Sequence, residues 1–401
     1  MNNQKLWTKD FIIISSINFF LTLVFYLLVV IIALYAVDAY GASTSQAGLV
    51  TGIFIIGTLI GRIIIGRYID VIGRKKTLFI GLALFTITTS LYYVDAGITF
   101  LLINRFLHGV TLGVASTATG TIVAQIIPPR RRGEGIGYFS MSSTLSTAIG
   151  PFIGIFMAQH TSFQVIFGLC LIISVSSLLT TLILHVPPLE IQKSPTQKGK
   201  GFSIQNYVEP KALPIALVVL AIAICYASVL SFIGFYAIEI NLVTASSFFF
   251  LVYSIAILIS RPFTGPLLDK KGANYVMYPA FIIFAIGMFL LSTADNSVTL
   301  LLSGALIGLG FGNIQSCAQA VAIKLTPSDR MGLATSTFFI FLDAGLGFGP
   351  YLLGTLIPIT GYSKLYTILG FVVLASILLY YFMHGKKEAL GRKNKTTSIS
   401  V

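Results

Sequence analysis

Four charged side chains stand deep inside long apolar runs: Asp343, Arg62, Arg105 and Arg261. A charge in hydrocarbon is costly and needs a partner, water or a cavity. Asp343 is the one acid of the set. Burial favours its protonated form and a nearby guanidinium its ionised form. That balance suits a group that takes up and releases a proton. It also suits a fixed partner of an arginine, or an acid that only hydrogen-bonds. His108 lies one turn beyond Arg105 and could carry protons near neutral pH; alone on a packed helix, it also reads as a hydrogen-bonded structural residue. Asn18, Tyr26, Asn313, Gln315 and Gln319 are polar groups in apolar surroundings and, with Arg62, are candidates to line a cavity. Gln315 and Gln319 share a helix face by their spacing. No nucleophile with its base, H-E-x-x-H pair or phosphate-binding G-x-x-x-x-G-K-[ST] loop occurs, and the four His have no ligand cluster. The expectation is a protein that is not an enzyme, with no metal and no cofactor.

The elements that carry these residues follow from composition. Of 401 residues, 56% are apolar and 10% charged, against roughly 25% charged in a soluble domain. Apolar runs of about 20 residues span a bilayer, and twelve are predicted: near 11–36, 46–69, 77–95, 99–127, 135–160, 163–186, 212–240, 244–268, 274–293, 298–325, 331–357 and 363–384. The fold class is an all-α membrane protein. A net charge of +13 invites a nucleic-acid reading, but the basic residues mark one side of a membrane instead. Apart from the three arginines inside spans, only Lys364 falls opposite the rest. The positive-inside rule then puts both termini in the cytosol of a multi-pass cell-membrane protein. The first span is retained rather than cleaved. Cys170, Cys225 and Cys317 lie in spans as small packing residues.

The chain repeats itself. At an offset of 199, Arg62, Gly66, Asp70 and Gly73 fall on Arg261, Gly265, Asp269 and Gly272. Gly109 and Gly113 fall on Gly308 and Gly312, Pro128, Arg131 and Gly133 on Pro327, Arg330 and Gly332, and Gly150-Pro151 on Gly349-Pro350. The first outer loops align at an offset of 201. One six-span unit therefore occurs twice: a bundle over 1–186, a cytosolic linker over 187–211, a second bundle over 212–384 and a basic tail over 385–401. Parallel repeats place a binding site between the halves near the midplane.

The loop after the second span reads Gly66-Arg-Tyr-Ile-Asp70-Val-Ile-Gly73-Arg74-Lys75-Lys76. Gly66 allows close helix approach and Gly73 a tight turn. Asp70 is placed to face the positive end of a neighbouring helix, expected at the eleventh helix near Ser328 to Met331. This loop resembles the signature of the major facilitator superfamily, and the resemblance extends over the whole chain. The second copy keeps Gly265, Asp269 and Gly272 without the Arg-Lys cluster. The fourth-span pattern of Arg105 and Gly109 is similar to that family's fourth-helix motif, whose arginine is linked to proton coupling.

In the fifth span, Gly150-Pro151-Phe-Ile-Gly154 makes a bent helix with a flat face. It resembles the exporter motif of the antiporter subgroup, departing from it at Ile155; Gly349 and Pro350 are its counterparts in span 11. The resemblance implies two pseudo-symmetric six-helix bundles. It also implies proton-coupled export of small amphipathic molecules or drugs by alternating access, in a functional monomer whose partners are substrate, protons and the bilayer. Import of a sugar or another metabolite, by proton symport or uniport, is the alternative.

Overall fold

The computed structural model describes residues 5–187 and 206–390. Much of the linker and most of the basic tail named above therefore lie outside the described residues. Among those residues the chain is helical with no strand. Twelve long helices follow in order: α1 Lys9–Tyr40, α2 Thr44–Ile72, α3 Arg74–Ser90, α4 Gly97–Ile126, α5 Arg132–His160, α6 Phe163–Leu182, α7 Leu213–Glu239, α8 Phe249–Lys271, α9 Asn274–Ser292, α10 Ser297–Lys324, α11 Met331–Gly354 and α12 Ile357–Tyr380. Eleven are long and apolar enough to cross a membrane. The twelfth, α3, has 17 residues and runs on into a 3-10 turn at Leu91–Tyr93. Bulky apolar side chains stand exposed along the helices, such as Phe152 at 71% and Tyr351 at 77%. Exposed apolar surface on this scale suits lipid rather than water.

Local chemistry sets the helix ends. The Ser43 hydroxyl accepts from the Gln46 N–H at 3.3 Å while the Gln46 side chain accepts from the Ser43 N–H at 3.0 Å, a reciprocal cap for α2. The last span differs from its predicted start. A first turn, opened by Pro358, runs to a break at Gly361 (φ +70°), and the continuous helix begins beyond it, close to the predicted boundary.

The chain packs into two compact units. The first holds Met1–Pro128, Ser142–Glu209 and Thr326–Ile340; the second holds Pro129–Met141, Pro210–Leu325 and Phe341–Val401. The start of α5 thus belongs to the second unit and the start of α11 to the first. Inside the first unit, α2 and α4 touch backbone to backbone: a Cβ on Gly57, Gly61, Gly109 or Gly113 would strike the carbonyl of Phe106, Val110, Phe54 or Thr58. Small residues allow this approach, which membrane helices use in place of the hydrophobic effect. Inside the second unit, Gly308 meets Tyr253 and Gly312 meets Ile257. Glycines and partners alike are displaced by 199 residues, so the repeat extends to contacts.

A contrast between two glycines tests this packing. Gly109→Ala drives a methyl into a carbonyl that cannot rotate away. It is expected to lower stability by about 1–3 kcal/mol or more. Gly52→Ala, with no atom within 4 Å of its Cβ, is expected to leave stability unchanged or to raise it by up to about 1 kcal/mol. Thermal unfolding in detergent reads both, and equal effects would contradict the α2–α4 contact.

Candidate functional site

Arg62, Gly66 and Asp70 recur every four residues and so share one face of α2. Within the first unit, the start of α11 covers that face. The Asp70 carboxylate accepts from the Gly332 N–H at 3.3 Å, in the first turn of α11, one residue beyond the expected range. Ser336 donates to the Arg62 carbonyl at 2.6 Å and packs over Gly66. The Phe339 ring lies 4.4 Å from the Arg62 guanidinium, a cation–π arrangement. Arg74, its side chain 1% exposed, clamps the assembly. It donates to Asp70 at 2.8 Å, to the Gln125 side chain at 3.0 Å and to the Ser328 carbonyl at 2.7 Å. Gly73 makes the turn that delivers Arg74, with φ +98°.

The second unit builds the same device from its own residues. Gly272 turns with φ +80°. The Asp269 carboxylate accepts from the N–H groups of Gly133 and Glu134, both at 2.8 Å, at the start of α5. Gly265 packs against the Glu134 backbone. The cation has moved. The position matching Arg74 is Ala273, and the position matching Gln125 is Lys324, which donates to Asp269 at 2.8 Å. The guanidinium of the first copy comes from the loop; the ammonium of the second comes from α10. Lys324 is 32% exposed, so water screens that pair. Arg74→Gln is therefore expected to destabilise the protein by about 3 kcal/mol or more, as the loss of one partner of a buried pair does. Lys324→Gln is expected to cost about 1 kcal/mol or less. The order of the two unfolding temperatures checks this.

A separate polar network lies inside the first unit. Arg105 is fully buried, donating to the Val50 carbonyl and the Tyr92 hydroxyl, both at 3.1 Å, with the Phe54 ring 4.3 Å away. His108 meets Tyr92 at 3.0 Å through Nδ1 and Thr89 at 3.3 Å through Nε2, so both ring nitrogens are engaged. Tyr92 thus joins the arginine to the histidine. Asn104, one residue earlier, is buried with neither amide atom hydrogen-bonded. Asn18 is buried too, donating to Ser142 and Ser143 and accepting from Thr119. It is a knot between helices. In the second unit, Asn313 accepts from Arg261, Ser260 and Thr264. Gln319 is buried, and its amide nitrogen has no hydrogen-bond partner; Tyr26 and Gln315 are half-buried.

Gly150 and Gly154 lay α5 against α1. A Cβ on Gly150 would sit 2.7 Å from Tyr26, and one on Gly154 2.7 Å from the Leu27 carbonyl, with Pro151 inside the helix between them. Gly349, beside Pro350, holds the corresponding place 2.8 Å from Ala227. Asp343 stands half-buried midway along α11, in the part of that helix belonging to the second unit. Its counterpart in the repeat is Thr144, and that of Arg105 is Gly304, so each charge exists in one half only.

Three contributors carry no motif: Tyr92, the Gln125–Lys324 exchange and Glu209. Glu209 is buried, pairs with Arg330 at 2.8 Å and donates its N–H to Thr337 at 2.8 Å. The 199-residue offset aligns Gln125 with Lys324, but only their shared place beside the loop carboxylate marks the exchange; Tyr92 and Glu209 left no comparable signal.

The sequence profile of the Major Facilitator Superfamily matches residues 14–344 and, again, 243–399. Among relatives, an uncharacterized MFS-type transporter of Methanocaldococcus jannaschii is 26% identical over 360 residues, covering 87% of this chain and 92% of its own. Multidrug resistance protein 1 of Bacillus subtilis is 25% identical over 331 residues, covering 79% of this chain and 82% of its own. Among solved structures, the transporter FucP in its outward conformation superposes with a TM-score of 0.76 at 15% identity, over 94% of this chain and 99% of that one.

Proposed function

The chain belongs to the major facilitator superfamily, an integral membrane transporter family, and from that premise we propose that it exports small amphipathic molecules in exchange for protons. The observation that carries the export reading is the α5 helix with Gly150, Pro151 and Gly154 laid on the α1 backbone. That is the element whose sequence resembles the exporter motif. Similarity to a relative named for multidrug resistance supports the same direction. Asp343 is the proton carrier in this reading, because it is the one acid in the middle of a span. Arg105, Tyr92 and His108 form the polar assembly that holds the first unit in register. The two carboxylate contacts, at Asp70 and Asp269, lie at the cytosolic ends of their helices in this reading, where both termini also lie. They part once in each cycle.

Dye efflux tests this. In a host depleted of its own efflux systems, the protein is expected to speed the loss of a preloaded amphipathic cationic dye, and a protonophore is expected to remove the gain. Net accumulation of dye would support import instead. No effect across a panel of amphipathic cations and anions would exclude the proposed substrate class.

A further inference from the structure

Arg261 is 3% exposed and sits in the membrane-spanning part of α8. Its guanidinium donates to Asn313, to Ser316 and to the Gly312 carbonyl. None of these partners carries a charge, and its Nε–H has no partner at all. A cation in this setting calls for a counter-charge.

The repeat shows what stands beside it. In the first unit, Ser336 and Phe339 of α11 cover Arg62. At the same positions of α5 the chain carries Gly137 and Ser140. Two filling side chains have become a bare glycine and a small hydroxyl, and a cavity results inside the second unit. Gly133, Gly137, Arg261, Asn313, Ser316 and Cys317 are among its lining residues. The cavity volume is about 10 Å³, about the room that one bound water needs. Phosphate or a carboxylate is too large.

We propose that this cavity binds a halide ion, chloride under ordinary conditions, held by the Arg261 Nε–H. Water would satisfy the orphaned donor but leave the charge uncompensated; a halide does both. The ion lies between α8 and the start of α5.

The test uses purified protein in detergent and sodium bromide against sodium gluconate at equal ionic strength. Bromide is expected to raise the unfolding temperature by roughly 2–4 °C and to give an anomalous scattering peak beside Arg261 Nε in crystals. Arg261→Gln removes the charge and is expected to abolish both signals. Since Arg261→Gln alters a buried network, Gly137→Val serves as the second variant. Its Cβ would meet only the Arg261 side chain, at 3.6 Å, so it fills the cavity while keeping the cation, and it too is expected to lose both signals. A wild type with no bromide-dependent shift, and water alone beside Nε, would overturn the proposal. A shift that persists in both variants would overturn it as well, by placing the halide elsewhere.

Discussion

Asp343→Asn is expected to reduce substrate-induced proton flux in proteoliposomes by at least about tenfold while substrate binding persists. Asparagine preserves size and hydrogen bonding but cannot exchange a proton. One charge moving through the full potential supplies about 2.3 kcal/mol per 100 mV, enough to bias a two-state cycle if loading and deprotonation are linked at one carboxylate. The placement favours Asp343 over His108. Asp343 is a half-buried carboxylate in mid-helix, and both ring nitrogens of His108 are engaged by hydroxyls. Unchanged proton flux in the variant would remove Asp343 from the mechanism.

Asp70→Asn is expected to cut transport by roughly a hundredfold at unchanged membrane insertion. The amide oxygen can still accept from Gly332, so the helix contact is not what fails. Arg74 is left buried without its counter-charge, at a cost of about 3–5 kcal/mol for breaking one side of such a pair. A shift of that size depopulates the latched state about a hundredfold or more. The double variant Asp70→Asn/Arg74→Gln is expected to recover part of the activity, since no unpaired charge remains. Radiolabelled or fluorescent substrate uptake in proteoliposomes reads all three proteins. Full activity of Asp70→Asn alone would remove the latch from the cycle.

Much of this architecture was legible in the chain because membrane helices leave long-period signals. Apolar runs located the spans, and glycines at a constant offset located the repeat; the structure adds that nothing larger fits between Gly109 and Phe54. Asp70 was legible for the same reason: an acid before a glycine turn at a span end has few uses. Side-chain geometry inside the bundle was not. Asn18 and Asn313 read as cavity-lining groups from polarity alone; both are also tied to neighbouring hydroxyls between helices, and Asn313 lines the cavity beside Arg261 as well. Arg105 was visible as an expensive charge; its partners, a backbone carbonyl and the Tyr92 hydroxyl, carry no sequence mark. The transfer of the latch cation from Arg74 to Lys324 needed the three-dimensional neighbourhood to be recognised as one exchange.

Substrate direction against the proton gradient tests the central claim most directly. In everted vesicles energised to an acidic lumen, an amphipathic substrate is expected to accumulate inside and to dissipate the pH gradient as it enters. Asp343→Asn vesicles are expected to do neither. Accumulation confined to right-side-out vesicles, or substrate entry with no proton release, would contradict proton-driven export.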